Sequence, residues 1–290
     1  MMDLLADVSG GFVRVGPDGH ERPAYFHEGS LYELTAVTQD VDPSFLASGT
    51  IAQVRAAAVA GELPGLDVGP GDRLGPPVCG TRSLVCVGLN YLDHALESSM
   101  APPDEPILFF KATNTIVGPS DDLVVPPDSS KTDWEVELAV VIGSDAWRLP
   151  DEETAQAAIA GYAISNDVSE RAYQLERGGQ WVKGKSCPTF NPLGPVLVPA
   201  SDFDPADKHL RLSVDGELKQ ASSTTQMIFS PRYLVWYISQ FLKLEPGDII
   251  NTGTPSGVGL GHTPPQYLRP GHQIEVRIEG LGTQRTEVAS

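Results

Sequence analysis

The chain has 290 residues, with 20 lysines and arginines against 38 aspartates and glutamates, which gives a formal net charge of −18 at pH 7. This acidity argues against nucleic acids and anionic membranes as partners, so an anionic substrate must be attracted by local positive charge or a metal ion. No apolar run approaches the roughly 20 residues of a membrane span, and the acidic N terminus predicts no export signal.

Residues 1–76 are predicted to form a small N-terminal α/β domain. Alternating segments near residues 12–16 and 24–34 predict short strands with turns at Pro17-Asp18-Gly19 and Glu28-Gly29. The Ala-rich segment Thr50 to Ala60 predicts a helix. A connector rich in glycine and proline ends near residue 76, so the catalytic domain is expected over 77–290. The 29 glycines and 25 prolines predict many turns and a β-rich fold.

The segment S-L-V-C-V-G-L-N-Y predicts a buried strand that leads directly into D-H-A-L-E. On a helical turn, His94 and Glu97 share one face at i, i+3, so the carboxylate can orient the imidazole as a water-activating base. The alternative is an exposed ion pair on a short helix. The loop that follows is a candidate mobile lid. Lys111, after four apolar residues, either neutralises a buried anion or extends to water.

The segment Trp134 to Ile142 predicts a strand that carries two carboxylates on one face. Glu135 and Glu137 lie about 7 Å apart along it, and Asp167 follows a second apolar run. Three oxygen ligands without a cysteine or histidine pattern favour Mg²⁺, Mn²⁺ or Ca²⁺ over Zn²⁺. The alternative is that both glutamates mark the solvated face of an edge strand.

The following segment predicts a helix from Asp151 to Gly161 and places Arg171 and Gln174 on one helical face. Residues 179–186 match the phosphate-binding pattern G-x-x-x-x-G-K-S, which requires a strand before it and a helix after it. No strand pattern precedes it, and three prolines follow it closely, so we reject a nucleotide site. Lys185 remains as a cation near the acidic residues.

The last third of the chain predicts two hairpins, a helix and a glycine-rich turn. The first hairpin turns at Asp215-Gly216, the helix opens at Ser230-Pro231, and the second hairpin ends the chain. Between them, T-G-T-P ends a strand. Its exposed backbone around Gly253 and Thr254 suits a carboxylate-binding turn, although such turns are often only structural.

Together these segments resemble the fumarylacetoacetate hydrolase family over roughly residues 78–290. The motifs, in order, are V-G-L-N-Y-x-x-H-x-x-E, W-E-V-E-L, N-D-V-S-x-R, G-K-S and L-E-P-G-D-I-I-N-T-G-T-P-S-G-V-G. The resemblance implies an α+β, β-rich fold, a mixed β-roll with a small N-terminal domain, assembled as a homodimer. It is most similar to bacterial acylpyruvate and diketo-deoxy sugar acid hydrolases.

The resemblance implies a metal-dependent hydrolase that cleaves the C–C bond of a 2,4-dioxo acid to a pyruvate-type product and a carboxylic acid. It implies a Mg²⁺ (or Mn²⁺ or Ca²⁺) site and a small anionic 2-oxo acid substrate. Where some members carry Asp after the motif's arginine, this chain has Ala172. The implied roles are metal binding by Glu135, Glu137 and Asp167, catalysis by His94, Glu97 and Lys185, and substrate binding by Arg171, Gln174, Tyr91, Lys111, Gly253 and Thr254.

Alternatives on the same scaffold are an oxaloacetate decarboxylase, an enol-keto isomerase and a ureidoglycolate lyase. A non-catalytic oxo-acid binder is a more distant one, and the presence of His94, Glu97 and Lys185 argues against it. The other five histidines are expected at the surface. The three cysteines have no metal-ligand spacing and fit reduced thiols, so a cytoplasmic protein is expected.

Overall fold

The computed structural model describes residues 1–69 and 71–290. Within these ranges, no helix is both long and apolar enough to cross a membrane. The N-terminal part contains three antiparallel strands followed by two helices, namely β1 (Gly10–Val15), β2 (Arg22–His27), β3 (Ser30–Glu33), α1 (Pro43–Ala47) and α2 (Ile51–Val59). The predicted strands and the helix α2 are confirmed. Helix α1 was not predicted, and its N-terminus is capped by Asp42, whose Oδ1 accepts from Phe45 N at 2.8 Å.

From residue 84 onward the chain is mostly short strands. In chain order the elements are β4 (Leu84–Gly88), α3 (Leu92–Glu97), β5 (Ile107–Lys111), β6 (Ile116–Val117), β7 (Leu123–Val124), β8 (Thr132–Asp133), β9 (Val136–Ile142), α4 (Glu152–Ala157), β10 (Ile159–Asn166), β11 (Ser169–Glu170), α5 (Arg171–Leu175), α6 (Val182–Lys185), β12 (Asn191–Pro192), β13 (Val198–Pro199), β14 (His209–Val214), β15 (Glu217–Ser223), α7 (Pro231–Ser239), β16 (Ile249–Asn251), β17 (Gln273–Ile278) and β18 (Gly282–Ala289). Short 3-10 helices cover Met2–Leu5, Thr113–Thr115, Thr224–Gln226 and Gly259–Gly261.

Two mixed sheets form the body of the protein. The six-stranded sheet has the order β13-β10-β9-β16-β4-β5, and the five-stranded sheet has the order β15-β14-β17-β18-β7. Strand β16 pairs in parallel with β4, and β18 pairs in parallel with β7, while the other pairs in these sheets are antiparallel. The predicted α+β, β-rich class with a mixed sheet is confirmed.

Strand β9 lies at the centre of the six-stranded sheet, between β10 and β16, and every one of its residues is buried. An edge strand with a solvated face is therefore excluded for the Glu135–Glu137 segment. Because both faces of a central strand are covered, the buried Glu137 on β9 and the buried Glu135 directly before it must find charged or hydrogen-bonding partners inside the protein.

The helix expected to run from Asp151 to Gly161 is shorter than predicted. It begins as expected, since Asp151 Oδ1 accepts from Thr154 N at 2.8 Å. It ends at Ala157, and Gly161 lies inside β10. A Cβ at Gly161 would lie 2.3 Å from Val198 O, so glycine is required there for the close approach of β13 and does not terminate the helix.

The N-terminal sheet shares a hydrophobic core with the second part of the chain. Phe12 exchanges two backbone hydrogen bonds with Leu197, each of 2.9 Å. The rings of Phe12, Tyr25 and Phe45 pack edge to face in the cluster that also contains Leu84 and residues of β9. The boundary near residue 76 stays a prediction.

Candidate active site

Three buried carboxylates converge where β9 and β10 meet. Strand β10 pairs antiparallel with β9, so that Ser165 lies opposite Glu137 and Asn166 lies opposite Val136. The chain then brings Asp167 beside Glu135, and Asp167 N donates to Glu135 O at 2.9 Å. Carboxylate oxygens of Glu135, Glu137 and Asp167 lie within 4.8 Å of one another. Glu135, directly before β9, Glu137, near its start, and Asp167, directly after β10, therefore form one acidic cluster.

Lys185 is inserted into this cluster from the short helix α6. Its Nζ donates to Glu135 Oε2 at 2.6 Å and to Asp167 Oδ2 at 2.7 Å. Helix α6 packs tightly against β11, because a Cβ at Gly184 would lie 2.4 Å from Glu170 O. The glycine of the G-K-S motif thus allows Lys185 to reach the carboxylates. Helix α5 and the strand-free segment 176–181 lie directly before this helix, which agrees with the rejection of a phosphate-binding loop.

The two glutamates differ in their electrostatic surroundings. Burial by itself raises the pKa of Glu135, but the charges of Lys185 and Arg171 outweigh it and lower that pKa to about 2. Burial and the charges of Asp167 and Glu135 raise the pKa of Glu137 well above its ordinary value. Glu137 has a single hydrogen-bond donor among the described residues, the N–H of Gly253 at 2.7 Å from Oε2. Repulsion within the cluster is thus relieved at Glu135 and persists at Glu137.

Arg171 links the cluster to the loop of residues 257–262, which lines part of the cavity. Its Nη2 lies 2.8 Å from Glu135 Oε1, its Nη1 donates to Gln174 Oε1 at 3.0 Å, and its Nε donates to Asp133 Oδ2 at 2.7 Å. Asp133 also accepts from Gly259 N at 2.6 Å and from Leu260 N at 3.0 Å. Asp133 was given no role by the sequence, and it holds Arg171 and this loop together.

His94 and Glu97 form the expected pair on helix α3. Nδ1 of His94 lies 2.9 Å from Glu97 Oε2, and Glu97 Oε1 accepts from Gly257 N at 2.8 Å. The pair is mostly buried, with side-chain exposures of 15% for His94 and 18% for Glu97. An exposed surface ion pair is therefore excluded. Because Nδ1 is occupied by Glu97, Nε2 is the nitrogen left to exchange a proton.

A cavity of about 490 Å³ connects the His94–Glu97 pair, here called the dyad, to Glu135 and Glu137 of the acidic cluster. Its wall contains eight of the predicted site residues, namely His94, Glu97, Glu135, Glu137, Arg171, Gln174, Lys185 and Thr254. Thr254 is held in place because its hydroxyl donates to Val136 O at 3.0 Å and accepts from Gln220 Nε2 at 2.9 Å. The fold thus brings most of the predicted site together.

Lys111, Tyr91 and Gly253 differ from the expectation that they bind substrate, because none of the three lines the cavity, and the buried Asp167 does not line it either. The N–H of Gly253 is donated to Glu137 instead. Lys111 is fully buried behind Asp167, where its Nζ also donates to Phe190 O at 2.6 Å and to Val168 O at 3.2 Å. A buried ammonium with three acceptors has no hydrogen left for a substrate. The hydroxyl of Tyr91 is buried without a described partner, and burial followed by the charge of Glu137 raises its pKa.

His262 also departs from the sequence-based expectation of a surface position. It lines the cavity, directly after Gly261, and its ring packs against Trp134 with centroids 6.3 Å apart. Further cavity residues that carried no signal in the sequence are apolar and come from several distant segments, namely Val87, Met100, Ile107, Phe109, Leu175, Trp181, Val258 and Leu260.

Comparison with known proteins agrees with this geometry. The family model for the C-terminal domain of fumarylacetoacetate hydrolase matches residues 83–289. The chain belongs to the fumarylacetoacetate hydrolase family. The structure is similar to that of fumarylacetoacetate hydrolase from Exiguobacterium antarcticum, with a TM-score of 0.86 and 36% identity, covering 97% of this chain and 100% of that one.

Two further members of the family bear on the chemistry. A 2,4-didehydro-3-deoxy-L-rhamnonate hydrolase from Sphingomonas sp. (strain SKA58) is 42% identical over 96% of this chain and 95% of its own length. The structure of fumarylpyruvate hydrolase from Pseudomonas aeruginosa, in complex with Mn²⁺ and pyruvate, has a TM-score of 0.65 and 34% identity, covering 72% of this chain and 90% of that one.

The acidic cluster fits a divalent cation. Its donors are carboxylate oxygens, which suit hard cations, and all three side chains are buried. Lys185, Arg171 and Lys111 pair with Glu135 and Asp167, whereas Glu137 receives one backbone N–H, so a further cation would relieve the repulsion that, together with burial, raises the pKa of Glu137. The residues present therefore fit a hard divalent cation, and their role as its ligands stays a prediction.

Proposed function

We propose that this protein is a divalent-metal-dependent hydrolase that cleaves the C3–C4 bond of a 2,4-dioxo acid, an acylpyruvate or a diketo-deoxy sugar acid. The observation that carries the proposal is that the His94–Glu97 dyad lines one cavity together with Glu135 and Glu137, whose carboxylates lie within 4.8 Å of the buried Asp167 carboxylate. A binding protein for oxo acids requires the cluster but has no use for an oriented base. The name of the Sphingomonas relative supports the same class of substrate.

The dyad is arranged to activate water. Glu97 orients His94 through Nδ1, so His94 Nε2 takes a proton from a water molecule. The oxygen of that water adds to C4 of the substrate, and the C3–C4 bond breaks with its electron pair moving to C3. One product is a carboxylic acid, and the other is an enolate that takes a proton at C3 and becomes pyruvate. One water molecule is consumed, and the dyad returns its proton, so the reaction balances.

The other residues bind the pyruvyl half of the substrate and stabilise its charge. Lys185 and Arg171 provide positive charge next to Glu135, at the end of the cavity where the enolate forms. Mg²⁺ bound by Glu135, Glu137 and Asp167 would supply positive charge for the substrate carboxylate, the 2-oxo oxygen and the developing enolate. Gly253 N–H holds Glu137 in position, and Thr254 contributes a polar wall.

Product analysis tests the proposal. Metal-free protein is combined with acetylpyruvate and Mg²⁺, Mn²⁺, Ca²⁺ or EDTA, and pyruvate and acetate are quantified by NMR. Metal-dependent release of both products in equal amounts is expected. His94→Asn should lower kcat by about 10²–10⁴-fold while the metal-induced rise in Tm persists, and the exposed-site control His209→Asn should behave as wild type. CO₂ from oxaloacetate without acetylpyruvate cleavage would contradict the proposal and indicate a decarboxylase.

We also propose that the protein is a cytoplasmic homodimer. The cysteines Cys79, Cys86 and Cys187 are all free thiols, as a reducing compartment would maintain them. Large apolar side chains are exposed on helix α3 and on the edge strand β5, where Leu96 is 80% and Phe110 is 44% exposed. Such residues favour burial against a second copy. Light scattering of the purified protein should give twice the mass of the 31.0 kDa chain.

A further inference from the structure

Strand β15 carries two polar side chains on its buried face. Gln220 lies opposite Leu212 and Ser222 lies opposite Leu210, and both leucines are fully buried. Residues i and i+2 of a strand share one face and lie about 7 Å apart. Gln220 and Ser222 are therefore two points at a fixed separation on the inner face of this strand.

Gln220 connects β15 to the strand of the acidic cluster. Its Oε1 accepts from Val136 N at 2.9 Å, and Val136 is the residue between the two glutamates of the cluster. Its Nε2 donates to Thr254 Oγ1 and to Pro255 O, both at 2.9 Å. The side chain is fully buried, and both of its amide hydrogens are used. Gln220 therefore holds the start of β9 at a fixed place relative to β15.

Ser222 connects the same strand to the helix that carries the dyad. Its Oγ donates to Asp93 Oδ2 at 2.6 Å, and Asp93 Oδ1 accepts from the adjacent His94 N at 2.8 Å. The N–H of Ser256 also donates to Asp93 Oδ1, at 3.4 Å. Asp93 therefore ties the first turn of α3 both to β15 and to the loop that follows β16.

The same loop holds the other end of α3. Gly257 N donates to Glu97 Oε1 at 2.8 Å, so two consecutive N–H groups of the loop bind the carboxylates of Asp93 and Glu97, which share one helical face at i, i+4. The loop packs closely on β15, because a Cβ at Gly257 would lie 2.1 Å from Lys219 O. Both ends of the short helix α3 are therefore fixed relative to β15.

Asp93 takes part in this docking without facing the cavity of the dyad. It lines a separate cavity of about 400 Å³ together with Ser222, and it is not part of the wall that His94 and Glu97 share with the acidic cluster. Its hydrogen bonds go to the backbone of His94, to the loop and to β15. An effect of Asp93 on the reaction must therefore pass through α3.

We infer that the Gln220–Ser222 face of β15 sets the distance between the dyad and the acidic cluster, and that Asp93 is the positioning residue that transmits it to His94. This inference rests on the proposed hydrolase function. The water activated at His94 Nε2 has to reach C4 of a substrate whose pyruvyl half is held at the cluster. A displacement of about 1 Å between two such groups can cost about 10²-fold in rate.

Steady-state kinetics of two Asp93 variants on acetylpyruvate with Mg²⁺ test the inference. In Asp93→Ala, kcat should fall about 10- to 10²-fold. Its KM should stay within about threefold of wild type, and its Mg²⁺-induced rise in Tm should persist, because the pyruvyl half and the metal bind at the cluster. Asp93→Asn should stay within about fivefold of the wild-type kcat, since its Oδ1 can accept the same N–H groups and its Nδ2 can donate to Ser222 Oγ. A role of the negative charge itself would instead be lost equally in both variants.

The hydroxyl of Ser222 provides a milder variant and a double-mutant cycle. Ser222→Ala should lower kcat about fivefold, as the loss of one hydrogen bond does. Because both variants break the same bond, adding Ser222→Ala to Asp93→Ala should lower kcat by less than about twofold more, whereas independent effects would multiply. Ser223→Ala is the matched control, since the hydroxyl of this next residue donates to another aspartate, Asp207, at 3.0 Å and at an exposed position. It should keep the wild-type kcat.

The outcomes separate this inference from the function on which it rests. If the wild-type protein releases no pyruvate from acetylpyruvate in a metal-dependent reaction, the hydrolase proposal fails and this inference fails with it. If the wild type is active, a wild-type kcat in Asp93→Ala, equal losses in Asp93→Ala and Asp93→Asn, or a lost response of the Asp93→Ala Tm to Mg²⁺ would overturn the inference alone. If Asp93→Ala does not fold, the comparison of Ser222→Ala with Ser223→Ala decides, and an equal kcat in these two variants would overturn it.

Discussion

Glu135 and Glu137 are separated by one residue but have opposite charge environments. Glu135 contacts Lys185 and Arg171 within 2.8 Å, whereas Glu137 is bonded by one backbone N–H. The consequence for stability follows from proton linkage. Because the pKa of Glu137 is raised in the folded state, the folded protein binds more protons than the unfolded chain between the ordinary and the raised pKa. This group therefore makes the metal-free protein less stable as the pH rises through that interval.

The first prediction concerns Glu137→Gln. Removing the charge should raise the Tm of the metal-free protein at pH 8 relative to wild type, since a buried and poorly compensated carboxylate is lost. The same variant should lose most of the metal-induced rise in Tm, because one of the three ligands is gone. For wild type, Mg²⁺ at about 100 times its Kd should contribute about 2.7 kcal/mol, or several degrees.

Differential scanning fluorimetry from pH 5 to pH 8, with Mg²⁺ or EDTA, measures both effects. Glu217→Gln removes a carboxylate that is 73% exposed and serves as the matched control. It should change neither the metal-free Tm nor the response to Mg²⁺. If the Mg²⁺-induced rise in the Tm of the wild-type protein did not increase with pH, the result would contradict a Glu137 that is protonated in the metal-free site and loses its proton when it binds the metal.

At the level of elements, Asp133 connects β8 to the loop that closes the cavity. It is fully buried and accepts four hydrogen bonds, from Trp134 N, Arg171 Nε, Gly259 N and Leu260 N, with lengths of 2.6 to 3.0 Å. The same loop carries Gly257, whose N–H holds Glu97. The positions of the His94–Glu97 dyad and of Arg171 therefore both depend on the carboxylate of Asp133.

The second prediction is that Asp133→Asn lowers kcat/KM for acetylpyruvate about 10²-fold, because small displacements of positioned groups have effects of this size. The asparagine side chain places an NH₂ group where the Asp133 carboxylate accepts hydrogen bonds from N–H donors. The bonds to Gly259 and Leu260 should therefore weaken, and the 257–262 segment should become more sensitive to limited proteolysis. Steady-state kinetics and mass spectrometry of the cleavage sites measure these two effects.

Asp248→Asn is the control for burial alone. Asp248 is equally buried and accepts from Ser83 N and Glu245 N, both at 2.8 Å, but it does not line the cavity. We expect it to lower Tm while kcat/KM remains within about threefold of wild type, which corresponds to less than 1 kcal/mol. An equal loss of kcat/KM in the two variants would show that Asp133 acts only through general stability.

At the scale of the whole molecule, a charged network fastens the N-terminal part to the catalytic part. Arg14 Nε donates to Asp40 at 2.6 Å, and Arg14 also donates to Glu21 Oε2 at 3.1 Å and to Pro76 O at 3.2 Å. Arg73 continues the network to Glu21, with an N–O distance of 2.7 Å, and to Asp121. These bonds join β1 and Glu21, which directly precedes β2, to the connector, and the Arg73–Asp121 pair extends them to the segment before β7.

The third prediction is that Arg14→Met destabilises the protein by about 2–3 kcal/mol, since it leaves Glu21 buried without one of its cations. Asp40 keeps partial exposure, which reduces the loss. Tm should fall by several degrees, and kcat/KM should stay near wild type because the network is remote from the cavity. The exposed Arg22→Met, which loses a 3.7 Å pair with Glu33, should change stability by less than about 1 kcal/mol. Equal losses in the two variants would contradict the role of the network.

The local part of the site was predictable from sequence because it depends on spacing along one element. Alternation on a strand places Glu135 and Glu137 together, and i, i+3 spacing on a helix places His94 beside Glu97. The hairpin at Asp215-Gly216 was predictable for the same reason, since both residues adopt the positive φ that the turn requires.

Tertiary structure alone decided how these local units are combined. Lys111 follows an apolar strand like many exposed lysines, and only the packing of β5 against the Asp167 segment makes it a buried partner of that carboxylate. Asp133 and His262 have no periodic pattern, because their partners are far away in sequence. Residue spacing therefore determined which groups carry chemistry, while long-range packing decided which of them share a cavity and which only support it.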